Sequence, residues 1–564
     1  MVFTLLCVIL WIIPAGLSDL SGPDETRYVL VAREWLAGDN PLALTLHGRP
    51  YDQKPPLAFI LIALMLKGSG GEIASLAVRL PSILLGTAGV LATWMVGRRL
   101  FGSRAGFLAG LVLATSPQWM IDTLTAELNV SFSGWITLSL ACWFLRGEGR
   151  LSVARAAAMW ALAAAAFFTK GPLAILVIVG VLLAECGVRR SFSPLQEAWL
   201  WQGLMFLGTL VAGWLLAQDA SFGPSFVKGQ VAGETIGRFL HGDHQAPFWF
   251  YPPRLFASIM FPWALLLVPV GLGMARGRAG DPPEAWVLAL GWVLLPLLVL
   301  TLASGKRESY MLPLLPGLSL LVGRHLDGFL ARGQPTERVS VALSAFAALL
   351  SVALAACSVL LACRPRLLAV LRLEPPPWAW GTTALLAVVA ASVAWCCHAG
   401  RARPEIPVLA TAALLLLYGF GRLAVVAPAL DHVKSSRGFA EFAGEFLKAN
   451  NVPPVLGLLD RASKPEYHVY GRYERMPLKL EDVVPGARDL PAVIAARAKD
   501  WDDPAALEQR MAWAGYALAA QKSASGDMLA LYARVDVAPR PTVPGCSCES
   551  LHALGRPVHA FARQ

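Results

Sequence analysis

Long apolar runs separated by short polar connections fill the first 430 residues. A helix that crosses a bilayer needs roughly 20 mainly apolar residues, within a range of about 17–25. That template predicts spans near 1–17, 79–96, 105–121, 127–145, 153–169, 171–186, 198–217, 254–273, 285–303, 309–323, 338–362, 379–397 and 406–427. The total is about thirteen. The first run lacks a basic start and leads directly into a polar stretch, so it predicts an uncleaved span rather than a signal peptide. Thr26–Leu36, Leu57–Leu66 and Ser225–Leu240 are too short or too polar to span, and predict amphipathic helices at the outer interface.

Past residue 430 the pattern changes. Ser435–Asn450 carries Phe439, Phe442, Phe446 and Leu447 at helical spacing. Val455–Leu459 and Tyr467–Tyr470 read as strands, and Pro491–Lys499 as a helix. Tyr516–Lys522 and Met528–Arg534, joined by Ser525-Gly526-Asp527, read as a hairpin. The expected architecture is a polytopic α-helical membrane domain over 1–429, a small soluble α/β domain over 430–538 and a Pro- and Arg-rich flexible tail over 539–564.

Composition supports the membrane reading. The 564 residues are 56% hydrophobic and 15% charged, with mean hydropathy +0.55, against about 25% charged residues in ordinary soluble domains. The net charge of +10 is scattered over short loops and forms no basic stripe, which argues against nucleic-acid binding. Arg98, Arg99, Arg104, Arg146, Arg150, Arg155, Arg189, Arg190, Arg276, Arg278, Arg324, Arg332, Arg338, Arg401 and Arg403 collect in alternate loops, which are therefore cytoplasmic. The loop after the first span and the C-terminal domain then lie outside. The cysteines sit mainly in apolar runs as small hydrophobes, and Cys546 and Cys548 lack the second pair of a zinc site.

The outer loops hold the candidate chemistry. Asp24, Glu25 and Arg27 begin a helix whose first residue is Pro23. They read either as an N-terminal cap or as a general base with a guanidinium that orients it. Lys54 follows Tyr51 and precedes Pro55-Pro56, a stiff setting for a point charge on phosphate, although snorkelling to head groups is as common. Asp122 and Glu127 bracket one outer turn, where two acids can hold an acceptor or a cap can stand alone. Arg238-Phe239 and His244 occupy a later loop, and Lys306, Arg307 and Tyr310 another. Cations on the outer side run against the topological preference, which favours a phosphate role for them.

In order, Asp24-Glu25-Thr26-Arg27-Tyr28, Tyr51 with Lys54-Pro55-Pro56, Lys170-Gly171-Pro172, Arg238-Phe239, His244 with Ala246-Pro247-Phe248-Trp249, and Lys306-Arg307 with Tyr310, Leu312 and Pro313 resemble the bacterial aminoarabinose (lipid A) transferases. These belong to the protein-mannosyltransferase-like membrane glycosyltransferases, with a GT-C-type fold. The resemblance implies transfer of a sugar from a polyprenyl-phosphate donor, undecaprenyl phosphate in bacteria, to lipid A or a related envelope acceptor at the periplasmic face of the inner membrane. It implies catalytic roles for Asp24, Glu127 and Arg27, and donor-phosphate contacts for Lys54, Arg238, Tyr310, Lys170, Tyr51 and Lys306. Gln53 stands where the family carries an acid, and Thr235 where it favours histidine, so neither the family's metal nor another cofactor is expected and the sugar is open.

Such a donor already carries its leaving phosphate, so the chemistry requires cations on that phosphate and a carboxylate near the reacting carbon. Inversion by single displacement is expected. The alternatives are a related transferase acting on protein or polysaccharide, and a lipid or oligosaccharide transporter gated by the outer charges. Few ionisable residues fall at mid-membrane and no internal repeat is evident, which weighs against a transporter.

Overall fold

The computed structural model describes residues 11–534 except 39, 41–42, 71–72, 147–148, 231, 234–245, 276–282, 333–336, 364–377, 401–402, 432–434, 436, 460–469, 471–473, 486–489, 498–503 and 525–526. Two compact units emerge from packing. One takes Met1–Ser18 and Val31–Ala429, the other Asp19–Leu30 and Leu430–Gln564.

The first unit is helical. Seven described helices are long and apolar enough to cross a membrane: Ser75–Phe101, Val153–Lys170, Leu200–Phe222, Ala285–Leu302, Ser340–Cys363, Ala379–Ala399 and Glu405–Ala429. The protein is thus a multi-pass membrane protein. Several expected spans are interrupted. The run near 105–121 divides into Ser103–Ala114 and Pro117–Thr123, and that near 254–273 breaks into short turns around Pro262. The run near 309–323 opens as a tight 3-10 turn, Glu308–Leu314, before Leu315–Ala331. Proline supplies no backbone donor and crowds the preceding turn, so each break falls at or beside one.

Small residues let these helices close on each other. A side chain at Gly106 would strike the backbone of Arg98, and one at Gly134 would strike the carbonyl of Leu85. Aromatic residues such as Trp119, Trp143 and Trp292 fill the interior. The buried Arg79 guanidinium donates to the carbonyls of Ala15 (2.7 Å) and Ser18 (3.1 Å), fastening the first segment to Ser75–Phe101.

The second unit contains a five-stranded mixed sheet in the order β4-β3-β5-β7-β6. Its strands are β3 (Val455–Leu459), β4 (Glu474–Leu478), β5 (Val493–Arg497), β6 (Tyr516–Ala524) and β7 (Asp527–Arg534). β3 runs parallel to β4 and β5, and β7 runs antiparallel to β5 and β6. Phe439, Phe446 and Leu447 of the helix Arg437–Ala449 pack on Leu456, Leu458, Val493 and Ala495. Leu507 and Met511 cover the other face at Leu459 and Ile494.

Two expectations fail here. Residues 493–497 form a strand and not a helix. Buried on both faces, β5 shows no alternation, and four consecutive apolar residues suit either element. Tyr470 lies in a turn, while 467–469 fall outside the described residues.

Candidate functional site

The helix Pro23–Ala37 begins with Asp24 and Glu25 in its first turn. Gly22 precedes it at φ +79°, a conformation that costs glycine little. Glu25 is buried and accepts the Ser21 backbone N–H at 3.1 Å, while the Thr26 hydroxyl donates to the Gly22 carbonyl at 2.7 Å. Glu25 therefore performs the capping that the sequence offered equally to Asp24. Asp24 instead pairs with the Arg27 guanidinium one turn on, each side chain about a fifth exposed.

Further along the same helix, Glu34 organises the loop that carries Tyr51 and Lys54. Its carboxylate accepts the Thr45 hydroxyl at 2.7 Å, the His47 N–H at 2.6 Å and the Gly48 N–H at 3.1 Å. His47 and Gly48 both have positive φ and close the hairpin between β1 (Thr45–Leu46) and β2 (Arg49–Pro50). Tyr51 N–H then donates to the Leu44 carbonyl at 2.9 Å, and its buried ring meets Phe59 edge-on at 5.5 Å. Gln230 donates to the Asp52 carbonyl at 3.2 Å. Lys54 is half-buried, ahead of the helix Leu57–Gly68.

A third group gathers around Asn129. Its amide nitrogen donates to Asp122 and to Glu127, each at 3.2 Å, and its carbonyl oxygen accepts the Lys170 ammonium. Gln118 donates to the other Asp122 oxygen at 2.7 Å. Lys170 ends the helix Val153–Lys170, where Gly171 at φ +106° turns the chain, and a cation is favoured at that terminus. The ammonium also sits 4.5 Å from the centre of the Tyr310 ring. Asp122 lies beyond the apolar run that ends near 121. Burial pushes its carboxyl up from 3.8 to about 6, against the opposing pull of Gln118, Asn129 and the Lys170 charge.

Glu127 and Lys170 thus meet at the Asn129 amide, the Tyr310 ring lies against the Lys170 ammonium, and Asp24 and Arg27 pair. The buried Lys306 ammonium donates to the carbonyls of Ala246 (3.2 Å) and Ala303. Glu308 beside it accepts the Ser258 hydroxyl at 3.0 Å and pairs with Arg254 at 3.2 Å. Arg238, Thr235 and His244 lie outside the described residues. Among the described residues no three His, Cys, Asp or Glu side chains gather in a metal-binding group. Gln53 offers a neutral amide oxygen ahead of Lys54, which can ligate a divalent ion but brings no negative charge to it. Glu34 and Asn129 escaped the sequence reading because their partners lie 11 to 14 and up to 41 residues away.

Among the described residues, interrupted apolar helices form a polytopic membrane protein; the Asp24–Arg27 pair belongs to one compact unit and the Asn129–Lys170 group to the other. Residues 53–216, which contain Lys54, Glu127 and Lys170, match the family model of dolichyl-phosphate-mannose-protein mannosyltransferases. The chain is 32% identical over 325 residues to undecaprenyl phosphate-alpha-4-amino-4-deoxy-L-arabinose arabinosyl transferase 1 of Pseudomonas fluorescens Pf0-1, covering 56% of each chain. The corresponding transferase of Edwardsiella ictaluri is 30% identical over 376 residues, covering 62% of this chain and 65% of that one. The matches therefore span under two thirds of these relatives' length. In fold, the chain matches crystal structures of ArnT from Cupriavidus metallidurans. The form bound to undecaprenyl phosphate gives TM-score 0.72 at 18% identity, covering 96% of this chain and 98% of that one. The apo form gives 0.69 at 19%. The resemblance to the aminoarabinose transferases, first read from ordered motifs, is borne out in sequence and in fold.

Proposed function

We propose that this protein is an integral-membrane glycosyltransferase that moves a sugar from undecaprenyl phosphate to lipid A or a related envelope acceptor. The observation that carries this reading is the cluster of Glu127, Lys170 and Tyr310 about Asn129, inside a chain whose relatives are named as undecaprenyl-phosphate aminoarabinose transferases. We assign about thirteen spans, a transmembrane domain over 1–429, an α/β domain over 430–538 and a tail over 539–564. The outer loops and the C-terminal domain are assigned to the periplasmic side of the inner membrane.

In this mechanism the acceptor oxygen attacks the anomeric carbon from the face opposite the phosphate. One carbon–oxygen bond forms as the other breaks, and configuration inverts. Lys54, Arg238 and Tyr310, with Tyr51 and Lys170 in support, stabilise the phosphate charge that develops on the leaving lipid. Asp24, oriented by Arg27, takes the proton of a hydroxyl acceptor; a phosphate acceptor needs only its electrostatic guidance. Glu127 positions the incoming polar groups. Lys306, bound to two carbonyls, fixes the turn before Tyr310. No step requires a metal.

The test is label transfer by protein in nanodiscs, supplied with radiolabelled undecaprenyl-phosphate sugars, 4-amino-4-deoxy-L-arabinose among them, and a membrane-lipid extract. Wild type should transfer label and Asp24→Asn should lose at least about a hundredfold in rate. Failure with every donor, with unaltered lipid binding by Asp24→Asn, would move the reading to a lipid transporter.

A further inference from the structure

Five residues ahead of Asp24 the chain is fastened within the second unit. Asp19 accepts hydrogen bonds from Arg437 Nε at 2.9 Å and from the Ser435 hydroxyl at 2.8 Å, and Arg437 Nη2 lies 2.8 Å from the same carboxylate. The Asp19 backbone N–H donates to Asp431 Oδ2 at 2.9 Å. The Leu20 N–H donates to the Tyr470 hydroxyl at 2.6 Å, in a buried setting. Arg437 closes the group by stacking 4.0 Å above the Tyr470 ring. These partners stand 412 to 450 residues apart in sequence. Packing independently places Asp19–Leu30 in the same compact unit as the chain from Leu430 onward.

A lone exposed ion pair contributes little. Here Arg437 serves the carboxylate and the ring together, and two backbone N–H groups are fixed by Asp431 and Tyr470, so the contacts reinforce one another. Gly22, which follows this clamp, leaves the backbone permissive. The clamp thus fixes the chain immediately ahead of Gly22 and adds to the Ser21–Glu25 and Thr26–Gly22 bonds that shape the start of the helix Pro23–Ala37.

We infer that the C-terminal unit anchors the Asp24 segment, with Asp19, Arg437 and Tyr470 as positioning residues for the Asp24–Arg27 pair. The inference rests on the transferase reading, in which Asp24 acts during transfer. It gives this unit a part in turnover and none in holding the carrier lipid.

Full-length wild type, Arg437→Ala, Tyr470→Phe and Asp19→Asn/Arg437→Ala would be compared in nanodiscs. Arg510→Ala, which removes a cation stacked on Trp513 elsewhere in the same unit, serves as control. Turnover, binding of undecaprenyl phosphate alone and hydrogen exchange of residues 19–30 would be measured on each. Arg437→Ala should lower kcat roughly ten- to a hundredfold and Tyr470→Phe several-fold. Affinity for undecaprenyl phosphate should stay within about twofold. The double variant should be slower than Arg437→Ala by no more than about threefold, because the Asp19–Arg437 pair is already broken in the single variant and only the Ser435 bond is newly weakened. Exchange over 19–30 should quicken in the clamp variants only. Tyr470→Phe deletes one oxygen, so it keeps the test decisive should Arg437→Ala fail to fold. Wild-type kcat in the folded clamp variants, or an equal loss in Arg510→Ala, would overturn the inference. Absence of transfer by wild type would instead sink the transferase reading, leaving hydrogen exchange to report on the anchor.

Discussion

Asn129 is placed so that each half of its amide has one chemical partner type. Its oxygen faces an ammonium and its nitrogen faces two carboxylates, so the reverse orientation would set like against like. Asn129→Ala should therefore release Lys170 from Glu127 and lower kcat by roughly tenfold. Combined with Lys170→Met it should add little, because both changes act through the same ammonium. A double-mutant cycle in the transfer assay measures this, and simple additivity would refute it. Asp122 adds a pH dependence. Its folded value of about 6 lies above the ordinary 3.8 because burial favours the neutral acid. The stabilisation this gives is complete below about pH 4 and is lost as pH rises to about 6. The difference between 3.8 and about 6 corresponds to about 3 kcal/mol. Thermal unfolding from pH 4 to 8 should show wild type losing ground to Asp122→Asn over that window, whereas parallel curves would contradict it. Asp122 and Glu127 could be singled out from sequence as acids in an apolar setting. Asn129 could not, since an amide in the first turn of a helix carries no signal until its partners are in place.

Among the elements, the hairpin over Thr45–Pro50 depends on a residue from the preceding helix. Glu34→Ala leaves the His47 and Gly48 N–H groups and the Thr45 hydroxyl without the carboxylate they share. These donors are only partly shielded from water, and Gly48 is exposed, so the loss costs about 1 kcal/mol, at the low end of the range for an unmade acceptor. Here the loss falls on the loop that presents Tyr51 and Lys54, so under the proposed donor-binding role undecaprenyl phosphate should bind about tenfold more weakly. A binding isotherm that matches wild type would show that the loop holds itself. The long apolar helices were legible because their periodicity and length leave no other element. Their interruptions were legible only in part: Pro117 and Pro313 are visible as breakers, yet whether a proline ends, kinks or begins a helix depends on its neighbours. β5 looks like a helix in sequence for the reason that makes it central, since burial on both faces erases the alternation that identifies a strand.

At the scale of the molecule, the arginines that signalled topology in the sequence also build structure. Glu185 is 5% exposed and accepts the Trp143 indole N–H at 2.6 Å, Arg146 at 2.5 Å and Arg189 at 2.5 Å. Arg189 also bonds both oxygens of Glu197, at 2.9 and 3.0 Å, and Arg146 stacks 3.4 Å above the Trp143 ring. One carboxylate thus ties together the helices Leu128–Phe144 and Leu173–Arg189. Sequence composition showed the excess of cations in this region but not the buried anion that gathers them, because Glu185 sits alone in an apolar run. Removing one partner of such a group leaves uncompensated buried charge and typically costs about 3–5 kcal/mol. Glu185→Ala should accordingly lower the thermal midpoint markedly, and Glu185→Gln less, since the amide oxygen can still receive the indole. Neither change touches Asp24, Lys54 or the Asn129 cluster, so transfer per folded molecule should stay at the wild-type rate. Activity normalised to the folded fraction separates the two effects: a fall that persists after normalisation would mean that this network governs the chemistry as well as the packing.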